Sequence, residues 1–132
     1  MGSASNHRAM GRQILLVEDD PDQRRLLERS FAAAGWRVFT APDGEAGVAA
    51  ARSQRPDVIV LDVMMPHLNG FQACRRLRAD PETREIPIIM TTAKDQPADE
   101  FWGREVGADE YLVKPVDVRN LIAVATRLTG PK

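Results

Sequence analysis

Five short apolar runs, each the length of a β-strand, are spaced along this chain with helix-patterned segments between them. The runs are Ile14–Val17, Trp36–Thr40, Val58–Leu61, Ile86–Met90 and Tyr111–Val113. Most are continuous rather than alternating, which is the pattern of strands covered on both faces. Pro87 stands near the start of its run, where a missing N–H is tolerated. After the first run, Asp20-Pro21 offers an N-cap followed by a proline at the first helical position. Leu26, Leu27, Ser30, Phe31 and Ala34 then form one stripe, and Gly35 closes the helix. A second helix is expected from Asp43 to before Pro56, with Ala46, Val48, Ala49 and Ala50 as a small-residue face. A third follows Asn69-Gly70 through Phe71, Cys74 and Leu77. A fourth runs from about Pro97 to Gly107, and a fifth from Asp117 to about Leu128 through Leu121, Ile122, Val124 and Ala125. Strand and helix alternating five times predict an α/β fold: one doubly wound, five-stranded parallel sheet with right-handed crossovers and helices on both faces.

A chain of 132 residues suits one such domain with a sizeable core. Its 18 Lys and Arg against 19 Asp and Glu leave a net charge of −1, which argues against a protein that coats nucleic acid. The single Cys74 allows neither an intramolecular disulfide nor a Cys-rich zinc site and suits a reducing, cytoplasmic setting. No apolar run approaches the ~20 residues of a membrane-spanning helix. Residues 1–12 are small and polar, without the apolar core of a secretion signal, and are read as a disordered tail or an expression scar. Residues 13–129 are read as the domain and 130–132 as a C-terminal tail.

In open α/β sheets, sites lie just past the carboxyl ends of the strands. Here those ends carry Glu18-Asp19-Asp20, Asp62, Thr91-Thr92-Ala93 and Lys114-Pro115. Carboxylates gathered in one crevice repel one another unless a cation intervenes. An all-oxygen set of this kind suits a hard cation, and Mg²⁺ takes only one or two carboxylates while keeping water. Carboxylate, hydroxyl, ammonium and Mg²⁺ together suit a tetrahedral anion such as a phosphoryl group, and an aspartate can itself accept one. Neither glycine-rich phosphate motif, G-x-x-x-x-G-K-[ST] or G-x-G-x-x-G, occurs.

These segments carry a resemblance. ILLVEDDP (14–21), PDVIVLDVMMPHLNG (56–70), IPIIMTTAK (86–94) and GADEYLVKP (107–115), in this order and spacing, resemble the receiver domain of bacterial two-component response regulators. The resemblance covers Gln13 to Leu128 and implies a flavodoxin-like (βα)5 fold. It also implies that Asp62 is the phosphoacceptor, with Asp19 binding Mg²⁺ (or Mn²⁺) directly, Glu18 assisting through water and the Met64 carbonyl adding a ligand. Thr92 would hydrogen-bond the phosphoryl group, Lys114 would pair with it across a cis Lys114-Pro115 peptide, and Tyr111 would be the aromatic switch residue. The implied partners are a sensor histidine kinase or phosphotransfer protein, and a downstream target on the surface of the fourth helix, fifth strand and fifth helix. A monomer or a phosphorylation-dependent dimer is expected, with no membrane and no direct nucleic-acid contact. Met64 and Lys94 flank the site entrance; an apolar Met64 orients no water and favours a longer-lived phosphoryl group. The segment from Lys94 to Gly103 is similar to stand-alone regulators of twitching or gliding motility.

Other readings stand beside these. Asp20 is first a helix cap, and strand alternation allows only one of Thr91 and Thr92 to face the site, Thr92 by alignment with Ala93. Cys74 is read as core, His67 as a loop residue, and Arg75, Arg76, Arg78 and Arg84 as a solvated face or a docking patch for an acidic partner. Phe101 and Trp102 cannot both be fully buried, so one is expected to join a partner surface. The competing functions are an interaction module independent of phosphorylation and an aspartyl-phosphate phosphatase. The phosphatase would need a second carboxylate where Met64 stands, and a cap domain.

Overall fold

The structure is a computed structural model that describes residues 11–93 and 97–130, with 97–100 described by backbone alone. The strands are β1 (Gln13–Val17), β2 (Arg37–Ala41), β3 (Val58–Asp62), β4 (Ile88–Thr92) and β5 (Glu110–Val113). The helices are α1 (Pro21–Ala33), α2 (Gly44–Gln54), α3 (Gly70–Ala79), α4 (Pro97–Glu105) and α5 (Val118–Thr129). All strand pairs are parallel, in the order β2-β1-β3-β4-β5. The expected doubly wound sheet is therefore the observed one.

Strand alternation divides the core into two layers. Leu15, Val17, Ile59, Leu61, Ile88 and Met90 pack with Ala51 of α2 and with Ala73, Cys74 and Leu77 of α3 on one face. Ile14, Leu16, Val58, Val60 and Ile89 pack on the other with Leu27 and Phe31 of α1 and Leu121, Val124 and Ala125 of α5. The three central strands are buried on both faces, which is why their sequences read as unbroken apolar runs. The edge strands β2 and β5 are half-exposed.

Four helix starts are fixed by the residues that the sequence offers as caps. The Asp20 side chain accepts from Asp22 N, Asp43 from Ala46 N, and Asp117 from Arg119 N and Asn120 N. Asn69 and Gln72 form a reciprocal capping box at α3. Each such cap contributes about 1 kcal/mol. Gly35 takes φ +95° directly after α1, a conformation that favours glycine.

Three expectations need correction. The buried stripe of α1 is narrower than its apolar pattern: Leu27 and Phe31 are buried, whereas Leu26 and Ala34 face solvent. One helix row is enough because Phe31 meets Trp36 edge to face, with centroids 5.4 Å apart. Helix α4 ends at Glu105, before Gly107, which takes φ +104°. Arg78 does not belong with the solvated arginines. Its guanidinium donates to the carbonyls of Gly107, Arg84 and Ile86 and to Asp109 Oδ2, tying the end of α3 to the entries of β4 and β5. Arg76, by contrast, makes an exposed pair with Glu45 at 2.9 Å, of the kind worth little to stability.

Cys74 is fully buried on α3, and burial pushes its thiol up to about 11. Native protein should therefore react with a thiol reagent at pH 8 at least ~100-fold more slowly than the same protein in denaturant. Equal rates in both conditions would contradict the packing described for α3.

Candidate functional site

The sheet order reverses between β1 and β3, so their connections leave in opposite directions and open a crevice at the carboxyl ends. Glu18 and Asp19 follow β1 directly, and Asp62 is the last residue of the adjacent β3. One carboxylate oxygen from each of Glu18, Asp19 and Asp62 lies within 4.8 Å of the others. Asp19 is exposed, whereas Glu18 and Asp62 are 3 % and 4 % exposed. Two of the clustered carboxylates are thus buried and the third is exposed.

Lys114, just past β5, reaches across β4 to the same point. Its Nζ lies 3.2 Å from Glu18 Oε1 and 3.2 Å from Asp62 Oδ1. The Lys114-Pro115 peptide is cis, as the resemblance implied. Burial and the nearby Glu18 raise the Asp62 carboxyl to about 7, against the lowering pull of Lys114. Burial draws the Lys114 ammonium down, but Asp62 and Glu18 outweigh it and hold the group above its ordinary value. Among the described residues three carboxylates gather here around one ammonium, which leaves them under-neutralised.

Local structure holds these groups in place. Glu18 Oε2 accepts from Asp20 N, and Asp20 in turn caps α1. Gly70 begins α3 so close to β3 that a Cβ there would fall 2.6 Å from the Asp62 carbonyl oxygen and 2.9 Å from Val63 Cα. Met64, on the loop after β3, is 64 % exposed, and its N–H points to Asp62 Oδ1 at 3.4 Å. Thr92 is buried at the end of β4, one residue past the Asp62–Thr91 register pair, and its carbonyl accepts from Lys114 N at 2.6 Å. Tyr111 lies in β5 opposite Met90 and packs, half-buried, against the core layer that contains Leu61 and Met90. Lys94 lies outside the described residues, as do Asp95 and Gln96 of the motility-like segment.

Phe101 and Trp102 are both exposed, at 59 % and 53 %, so two aromatic side chains face solvent where at least one was expected. The sequence reading missed Arg24. Its guanidinium donates to the Glu18 carbonyl at 2.8 Å and ties the first turn of α1 to the acidic loop. Residue type does not distinguish Arg24 from its exposed neighbour Arg25. Only the position of Arg24, four residues after the Asp20 cap, turns it back towards the strand end.

Chemically, this crevice can hold a tetrahedral anion between a divalent cation and an ammonium, which is the equipment of a domain that receives phosphoryl groups. A profile of the response regulator receiver domain matches residues 14–126, and the chain belongs to that family. It is similar to protein PilH of Pseudomonas aeruginosa, with 46 % identity over 110 residues that cover 83 % of this chain and 91 % of PilH. It is also 50 % identical over 110 residues to the transcriptional regulatory protein AfsQ1 of Streptomyces coelicolor, covering 83 % of this chain but only 48 % of AfsQ1. Among solved structures, the receiver domain of sensor histidine kinase PA1611 from Pseudomonas aeruginosa PAO1 superposes with a TM-score of 0.84. That domain is 36 % identical, and the match covers 92 % of this chain and 99 % of that one. It carries a magnesium ion coordinated in its active-site cleft.

Proposed function

We propose that Asp62 accepts a phosphoryl group from a phosphohistidine of a partner kinase or phosphotransfer protein. The bond to the group then resets a target-binding surface on the same domain. The observation that carries this is the placement of Lys114 Nζ, 3.2 Å from an oxygen of Asp62 and equally close to one of Glu18, at the mouth of an acidic crevice. An Asp62 carboxylate oxygen attacks phosphorus in line with the leaving nitrogen. The P–O bond forms as the P–N bond breaks, and the electron pair leaves with the imidazole, which takes up a proton. Lys114 exchanges its Asp62 contact for a phosphoryl oxygen. Thr92, at the end of the neighbouring strand, supplies a hydroxyl to another.

Glu18, Asp19, Asp62 and the Met64 carbonyl are the groups that would hold Mg²⁺, or Mn²⁺ in its place; the three clustered carboxylates fit a hard, oxygen-preferring ion. When bound, the ion supplies positive charge against the phosphoryl oxygens. The added charge draws Thr92 and Lys114 inward, and Tyr111 shifts with the α4-β5-α5 face that a downstream protein would read. The chain takes part in its own phosphorylation and dephosphorylation and turns over no separate substrate. Residues 13–129 act as one receiver domain, in the cytoplasm. Among the described residues no helix is long and apolar enough to cross a membrane.

Incubation with acetyl phosphate tests this. Intact mass should rise by one phosphoryl group in the wild type with Mg²⁺, and not without Mg²⁺ or in Asp62→Asn. A folded wild type that gains nothing from acetyl phosphate or from a cognate kinase would leave only an interaction module that works unphosphorylated.

A further inference from the structure

Gly103 sits inside α4, where glycine is the weakest helix former after proline, so its presence calls for a reason. Phe101 and Trp102 just before it face solvent, whereas Gly103 is buried against the sheet. A Cβ at this position would lie 2.9 Å from both Cδ1 and Cε1 of Tyr111 and 3.2 Å from Met90 Sδ. Carbon atoms do not pack that closely, so the Tyr111 ring occupies the space that a side chain at 103 would take. Met90 and Tyr111 are register partners on β4 and β5, which places this contact over the strand that ends in Thr92.

We propose that Gly103 is the seat of the Tyr111 ring, a positioning residue that makes the ring's position and the spacing of α4 from the sheet one variable. A ring leaving the seat uncovers the inner side of α4, and any side chain at 103 forces either the ring out or the helix away. The aromatic pair Phe101–Trp102, with centroids 5.3 Å apart, rides on the same helix, so ring movement reaches the exposed face directly. The signalling consequence rests on the reading of Tyr111 as the residue that moves on phosphorylation; the steric seat itself does not.

Tyr111 is the only tyrosine, so protein grown with 3-fluorotyrosine gives a single ¹⁹F resonance. Gly103→Ala should move that resonance towards free fluorotyrosine and raise its broadening by a soluble paramagnetic agent severalfold. The same substitution should lower Tm in the wild-type background but raise it in Tyr111→Ala, where the ring is gone, the flexible Met90 side chain can give way, and the gain in helix propensity dominates. If Gly103→Ala alone does not fold, recovery of folding by Tyr111→Ala supports the seat, and failure to recover overturns it. An unmoved resonance together with a Tm raised equally in both backgrounds also overturns it. A wild-type resonance that stays fixed on phosphorylation would remove the switching role of Tyr111 and leave the seat standing.

Discussion

Lys114→Met should destabilise the metal-free protein by about 1–3 kcal/mol at pH 8, less than for a fully buried ion pair because the Lys114 side chain is partly exposed. The reason is what remains. Glu18 and Asp62 keep their burial and their mutual repulsion but lose the ammonium that lies 3.2 Å from each. Methionine keeps the aliphatic stem, so lost packing accounts for little of the effect. Part of the loss should return in millimolar Mg²⁺, since a divalent cation in the same crevice restores the charge balance. Denaturant titrations with EDTA and with Mg²⁺ measure both quantities. A loss below about 1 kcal/mol, insensitive to the ion, would mean that the crevice is far better solvated than its burial indicates.

Asp62→Asn should act in the opposite direction and stabilise the metal-free protein at pH 8, by up to about 4 kcal/mol. A carboxyl held at about 7 in the folded state, against 3.8 in a free chain, binds its proton more tightly when folded. Its contribution is therefore neutral below about 4, becomes increasingly destabilising as the pH rises towards 7, and is fully destabilising above that. The advantage of Asn over Asp should follow the same course, vanishing near pH 4 and reaching its plateau near pH 8. The two effects are also coupled. In Asp62→Asn, removal of Lys114 leaves only Glu18 uncompensated, so the double variant should be more stable than the sum of the single effects predicts. Additive effects, or an Asn variant less stable than the wild type at pH 8, would show that Asp62 is not under the repulsion described.

Much of this arrangement was legible in the sequence because it is set by local rules. Continuous apolar runs mark strands buried on both faces, and Asp20, Asp43, Asn69 and Asp117 mark helix starts by the chemistry of their own side chains. Once the runs are taken as a parallel sheet, its topology brings Glu18, Asp19, Asp62 and Lys114 to one edge, because residues at successive strand ends share that edge whatever lies between them. What stayed hidden depends on tertiary neighbours. Leu26 looks as apolar as Leu27, yet its side chain stands half-exposed. Arg78 looks like Arg75 and Arg76 until the Gly107 carbonyl and Asp109 close around it. Gly103 reads as a flaw in a helix until the Tyr111 ring fills its place. In each case the deciding atom belongs to a residue distant in sequence.

Of the two carboxylates that face Lys114, Asp62 rather than Glu18 carries the phosphoryl group in the proposed reaction. Borohydride reduction of the phosphorylated protein converts an aspartyl phosphate to homoserine, and peptide mass spectrometry then locates it. Homoserine is expected at position 62 and nowhere else, in an amount matching the phosphoryl group gained. Homoserine at position 19, or a phosphorylated protein that yields none and carries its group on another residue type, would contradict it.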